Sequence, residues 1–254
     1  MPLPHLLRLT LLLGALFVLL GAARPVFAQA SAGRPLAVCI LKDRGGTDAA
    51  QLIRHPERFD CKSPQTRFGQ GDFWVISQDI GERSRSRAPL AVRFASLWQN
   101  GVAVHTLYDD GRMTTFRTDA RGITPWLQLG AIAEVPLPRR EAKVRRVLWH
   151  VTGSGNMRGV LLGPRLATAA ESVRANLSLA ALYAGFGGLC IALMIYNLAL
   201  WGALRHRFQL YYCVMALALI GYVFSSSGGL AWAFPEIANN DRLRINYQIG
   251  RAHV

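Results

Sequence analysis

Two stretches late in the chain carry the strongest hydrophobic pattern. Residues 177–204 and 208–234 contain no Lys, Arg, Asp or Glu, and only the basic knot Arg205-His206-Arg207 separates them. Each exceeds the ~20 residues a helix needs to cross a hydrocarbon core about 30 Å thick. A soluble helix buried on all sides over that length is a poor alternative. The pattern therefore predicts membrane helices over 173–204 and 208–234, a short loop at 205–207 and a second loop over 235–248.

Upstream the period changes. Across 29–172, apolar and polar residues alternate in short runs, as in half-buried strands. Leu90, Val92, Phe94 and Trp98 fall on one face of one run, and Val102, Val104 and Tyr108 on one face of the next. Asp109-Asp110-Gly111-Arg112 is a turn sequence that leads into Met113-Thr-Thr-Phe-Arg-Thr118, which predicts a hairpin. Residues 71–77 and 147–152 read as two more strands. These elements predict an all-β antiparallel sandwich or jelly roll with a core of its own. The segment from Cys39 to Cys61, with Gly45-Gly46, reads as a loop or short helix ahead of the first strand. Residues 168–176 are polar and helix-compatible, and no Gly/Ser-rich linker intervenes, so the joint to the first span is expected to be rigid.

The N-terminus has a different pattern. Arg8 precedes an apolar core over 9–23, and Val26 and Ala28 then stand at the −3 and −1 positions of a cleavage site. That order predicts a secretory signal peptide over 1–28, cut after Ala28, with Ala30 as the second candidate and an uncleaved anchor as the alternative. Export of the β domain makes the first span run from outside to inside. Arg205 and Arg207 then mark a cytoplasmic turn, in agreement with the positive-inside rule. The final stretch, 249–254, reads as the translation of a sequencing adapter. The natural sequence is expected to depart near Gln248, which would make the chain a fragment.

Charge and cysteines add to this picture. The chain has 29 Lys+Arg against 15 Asp+Glu, a formal net charge of +14. Between Ser31 and Ser172 there are 21 basic and 13 acidic residues, a net of +8. Such a surface is drawn to anionic headgroups or acidic glycans, and export excludes nucleic acid as the expected partner. Cys39 and Cys61 lie in the exported part, where a disulfide is permitted and expected; two free thiols or zinc ligation are the alternatives, and no His/Cys pair with ligand spacing accompanies them. Cys190 and Cys213 lie in the apolar runs and read as small buried hydrophobes.

Catalytic patterns are missing. Thr152-Gly153-Ser154-Gly155-Asn156 lacks the spacing of a nucleophile elbow, and no phosphate-binding loop or metal-ligand motif occurs. No catalytic residue, metal site or cofactor is expected. Trp74, Trp98, Trp126 and Trp149 could stack on a sugar or fill the core. Within the first span, Tyr196-Asn197 and the small faces of Gly185, Gly187 and Gly188 suggest packing against other helices, with Asn197 near the cytoplasmic end as the competing explanation.

The run from Tyr183 through Tyr196-Asn197-Leu198, the Arg205-His206-Arg207 turn, Tyr211-Tyr212, Ser227-Gly228-Gly229 and Trp232-Ala-Phe-Pro235 resembles the bacterial seven-transmembrane receptors with diverse intracellular signalling modules. The exported domain resembles that family's jelly-roll module. The resemblance implies seven spans in the inner membrane and an outer domain similar to carbohydrate-binding modules. It also implies a cytoplasmic output, a GGDEF-type diguanylate cyclase before a histidine kinase. The expected partners are membrane lipids and a periplasmic small molecule, carbohydrate or protein, with a homodimer left open. A transporter or channel with an exported accessory domain is the first alternative, and a tethered glycan-binding module the second.

Overall fold

The computed structural model describes residues 32–84, 88–95 and 98–251. The expected signal peptide and its Ala28 cleavage position lie outside the described residues. Strands β1 (Arg34–Pro35) and β2 (Val38–Lys42) lead into an excursion holding the one-turn helix α1 (Ala49–Leu52) and 3-10 turns at Pro56–Arg58 and Gln65–Phe68. Strands β3 (Gly71–Ser77), β4 (Glu82–Arg83) and β5 (Leu90–Ala95) follow, then β6 (Gly101–Tyr108) and β7 (Met113–Asp119). A 3-10 turn at Thr124–Trp126, β8 (Leu127–Gln128), β9 (Ile132–Pro136), the long β10 (Lys143–Ser154) and β11 (Arg165–Thr168) complete the β domain.

The strands form two antiparallel sheets. One has the order β1-β11-β5-β9-β8; the other has β2-β3-β10-β6-β7, with β4 paired to β10. The pairings nest: β1 with β11, β3 with β10, β5 with β9, β6 with β7. Successive nested pairs alternate between the sheets, as when a doubled ribbon is wound round a core. This is the jelly-roll form of the expected sandwich.

Period two explains the core. Leu90, Val92 and Phe94 of β5, with Ala133 and Val135 of β9, meet Phe73 and Val75 of β3, Val102, Val104 and Tyr108 of β6, and Trp149 of β10. Trp98 does not continue the β5 face. The chain has left the first sheet there to cross to the second, and the Trp98 carbonyl accepts the Gly155 N–H at 3.1 Å. The predicted hairpin forms: Gly111, at φ 78°, lets the turn close, and Tyr108 N–H donates to the Arg112 carbonyl at 2.9 Å.

The second sheet is covered on its outer side as well. Leu52, Ile53 and Phe59 of the excursion pack onto Cys39, Trp74, Ile76, Leu107 and Leu148. A disulfide joins Cys39 to Cys61. Cys39 is itself on a strand, not in a loop, because β2 pairs with β3 in the register Cys39 to Ile76. Paired backbone hydrogen bonds between Ile40 and Asp60, at 2.9 and 2.8 Å, bring Cys61 back beside it.

Four helices follow. Helix α2 (Ala169–Leu204) starts directly after β11, with the Thr168 side chain accepting the Glu171 N–H and the Glu171 carboxylate returning to the Thr168 N–H in a capping box. Its length is about 54 Å at 1.5 Å per residue, well beyond one hydrocarbon thickness. The excess turns lie on the domain side, where Ala175 packs against Ala32 and Ala167. Helix α2 ends in the left-handed Arg205, whose N–H donates to the Trp201 carbonyl at 2.8 Å. Helix α3 (Phe208–Ser226) returns alongside it. Leu189, Ile191 and Ile195 of α2 and Val214 and Leu217 of α3 are exposed. Helical stretches this long, charge-free over 177–204 and 208–226 and apolar on their open faces, suit a bilayer rather than a soluble core.

The second apolar run is not one helix. It breaks at Ser227 and Gly228, and the short α4 (Gly229–Ala233) follows. Gly228 is left-handed, at φ 87°, which ends the helix where hydropathy alone predicts continuation. Nor is 235–248 a plain loop: after a turn, α5 (Asn239–Arg251) runs back along α3. Ser225 Oγ donates to Asn246 Oδ1 at 3.0 Å, and the buried Arg242 reaches the Ser225 carbonyl at 3.4 Å. Buried polar residues on α5 supply these bonds, and their low hydropathy hid the helix from a hydrophobic pattern. Of the stretch expected to be adapter-derived, residues 249–251 lie in α5 and the remainder lies outside the described residues.

Candidate functional site

A single row of paired residues crosses the outer face of the second sheet: Leu41, Trp74, His150, Ala103 and Arg117. Strand alternation points all five to the same side. The next row toward the disulfide, Cys39, Ile76, Leu148 and His105, lies under the excursion. On the other side Thr152 pairs with Gly101. Ala103 and Gly101 are small, so a recess opens between Trp74 and His150 on one flank and Arg117 and Thr118 on the other. Thr47, Asp48 and Ala49 of the excursion form its wall. The cleft measures about 390 Å³, within the range of small-molecule sites. A Cβ at Gly101 would stand 3.1 Å from Thr152 Oγ1 and 3.2 Å from the Thr118 carbonyl, so the position is filled by any larger residue.

Polar contacts fix the floor. The His150 ring stacks on Trp74 with centroids 3.9 Å apart and planes 9° from parallel. His150 Nε2 lies 2.9 Å from Asp43 Oδ2. Burial alone would raise the Asp43 carboxyl, but hydrogen bonds from the Gly45 N–H and from His150 outweigh it and hold it below the ordinary carboxylate range. The Trp74 indole N–H beside the carboxylate acts in the same direction, although among the described residues its Nε1 completes no hydrogen bond of proper geometry. His105 is 2% exposed, with Nδ1 2.9 Å from Thr115 Oγ1 and Nε2 buried with no hydrogen-bond partner among the described residues. Burial, then the charge of Arg117, push its pKa down to about 4, so His105 is neutral at pH 7.

The two strands that frame the cleft run into the membrane part. Gly101 and Thr118 line the recess. Two residues before Gly101, the Gln99 N–H donates to Asn240 Oδ1 at 3.4 Å. Two residues after Thr118, the Ala120 carbonyl accepts the Asn239 N–H at 2.6 Å. Thr124 Oγ1 donates to the Ile237 carbonyl at 2.7 Å. The β8–β9 turn docks on the helix break, where the Gly130 N–H donates to the Ser227 carbonyl at 2.7 Å. A second attachment stands at the head of α2. Arg93, ion-paired to Glu134 at 3.2 Å, reaches Asn176 Oδ1 at 3.3 Å, and Asn176 Nδ2 donates to Gln128 Oε1 at 3.0 Å.

The residues singled out by sequence are distributed as follows. Trp149 is in the core, Trp74 is only 5% exposed beneath His150, and Trp126 packs edge-on against Phe116. None offers an open ring face to the cleft. Gly185, Gly187 and Gly188 meet nothing within 4 Å among the described residues. The α2–α3 seam instead contains the buried Cys190, Cys213 and Ala216, with Cys213 Sγ 3.6 Å from the Met194 carbonyl. Tyr196 is exposed, and Asn197 Nδ2 donates to the Leu193 carbonyl of its own helix at 2.8 Å. Arg205 and Arg207 are at the turn between α2 and α3. Sequence reasoning missed Arg117, His150, Asp43 and the two small residues of β6. The available signal was in β6, whose outward positions Gly101 and Ala103 are small on a strand that is bulky inward.

No curated protein matches the chain. Residues 179–247 match the family model described as 7TM diverse intracellular signalling, a family of membrane receptors with intracellular signalling, and the resemblance read from the sequence is thereby borne out across both spans and into α5.

Proposed function

We propose that this chain is the sensing end of a bacterial inner-membrane receptor. The jelly roll faces the periplasm, a small ligand occupies the cleft on its second sheet, and the change in fit is passed to the spans. The observation that carries this reading is the short path from cleft to membrane. Gly101 and Thr118 line the recess, and Gln99 and Ala120, two residues away on the same strands, hold Asn240 and Asn239. A ligand that prefers one spacing of β6 and β7 thereby favours one placement of α5 against α3. The output is a cytoplasmic module carried by the parent protein, with a GGDEF-type diguanylate cyclase favoured on family resemblance and a histidine kinase second.

Two measurements test this. The full chain in lipid nanodiscs is screened by thermal shift against sugars, amino acids and organic acids. A stabilising compound is expected for the native chain and not for Ala103→Trp, which fills the recess. Compounds that stabilise both equally would place the site elsewhere. A reporter active only in the periplasm, fused after Arg207, should be silent; activity there would overturn the orientation.

A further inference from the structure

We infer that the cleft takes a small organic anion, with its carboxylate held by Arg117. This rests on the cleft being the sensor's ligand site and goes on to name the ligand class. Arg117 lines the recess, and among the described residues no carboxylate pairs with it. The nearby acids are engaged elsewhere. Asp43 faces His150 at 2.9 Å, Asp48 Oδ1 accepts the Ala50 N–H at 3.2 Å, and Asp119 Oδ1 accepts the Gly122 and Arg121 N–H groups at 2.7 and 3.0 Å. Arg117 is therefore a cation at the recess without an ion-pair partner among the described residues, and the two acids nearest the floor and wall, Asp43 and Asp48, are held by His150 and by the Ala50 N–H instead. The field of Arg117 reaches the floor, where it contributes to keeping His105 neutral.

The rest of the lining agrees. Thr47 and Thr152 line the recess as hydroxyl-bearing residues, and Thr118 lines it with its backbone carbonyl, a polar lining suited to a ligand with several oxygens. The cross-strand partner of Arg117 is Ala103, which leaves the guanidinium an open approach to the ligand space. A neutral sugar is bound in open clefts chiefly by stacking on an aromatic face, and here the Trp74 face is covered by His150. An arginine on an edge strand also blunts edge pairing. Arg117 differs from such a residue in facing His150 across a bounded recess. A guanidinium holds a carboxylate through two parallel N–H donors, a geometry that lysine does not reproduce.

The test uses the full chain in lipid nanodiscs and isothermal titration with succinate, L-glutamate and D-galacturonate, with neutral D-galactose as the comparison. At least one acid should bind. Arg117→Gln should weaken it about tenfold or more, Arg117→Lys by less, and Ala103→Trp should abolish it. Circular dichroism checks that each variant is folded, and Arg117→Lys carries the comparison if Arg117→Gln is not. D-Galactose binding that Ala103→Trp abolishes and Arg117→Gln leaves unchanged would overturn the anionic class while sparing the cleft as the ligand site. Acid binding unaffected by either substitution would remove both, and failure of all three acids to bind would overturn the class.

Discussion

The backbone N–H of Asn239 donates to the carbonyl of Ala120 over 2.6 Å, joining the first turn of α5 to the strand end beside the cleft. Its neighbour Asn240 accepts from Gln99 through a side chain, so this second bond can be removed without touching the backbone. Asn240→Ala should raise amide exchange at Gln99 about three- to tenfold, the effect of losing one hydrogen bond, with the strands of the core unchanged. Exchange that rises across the whole jelly roll would show that Asn240 supports the domain and not the joint.

Gly228 carries a second prediction. Its φ is 87°, and a Cβ added there would stand 3.1 Å from the Gln128 carbonyl oxygen and 3.3 Å from the Ala131 nitrogen. The position has neither the backbone freedom nor the room for a branched residue. Gly228→Val should cost about 2 kcal/mol and loosen the β8–β9 turn from Ser227. Limited proteolysis of the turn at 128–131 reads this out; unchanged protection there would refute it.

The disulfide holds the cleft wall. Cys39 and Cys61 are 22 residues apart in sequence, and the loop they close carries Thr47, Asp48 and Ala49. Replacing both with Ser should lower stability by about 3 kcal/mol in the chain-entropy account. Because Leu52, Ile53 and Phe59 still have an apolar face to cover, the excursion should remain docked but exchange faster. Denaturant unfolding of the native chain with and without reductant measures the difference.

His105 makes stability depend on pH. Its folded pKa is about 4, against an ordinary value near 6.5, so the unfolded chain takes up the proton first. The contribution is full above pH 6.5, declines as pH falls toward 4, and is flat below. It amounts to roughly 3 kcal/mol over that window. His105→Gln should flatten this part of the profile. An unchanged slope between pH 6.5 and 4 would rule His105 out as its source.

Hydrophobic pattern made much of this architecture legible. Strand β3 runs over the residues that alternation marked, and the β6–β7 hairpin turns where Asp109-Asp110-Gly111-Arg112 requires. The cleft was not legible, because its lining is assembled by register. Trp74, His150, Ala103 and Arg117 come from four strands, and no local spacing relates them. The break at Gly228 was hidden for another reason. Hydropathy measures transfer to lipid and is blind to the sign of φ, so a run of apolar residues reads as one helix across a left-handed glycine. Helix α5 escaped because its buried groups, Asn239 and Arg242, are polar.

The capping box at Thr168 and Glu171 has a mechanical meaning once the second attachment is considered. A body fixed to a support at one point can swivel about three axes. Fixed at two, it keeps only rotation about the line between them. The jelly roll is fixed at the capped head of α2 and again at Ser227 and Asn239. Its remaining freedom is a rocking about that line, in which both attachments stay in place and the rest of the domain tilts. Swivelling of the jelly roll about the membrane normal is blocked, so the geometry selects a tilt of the domain over a twist.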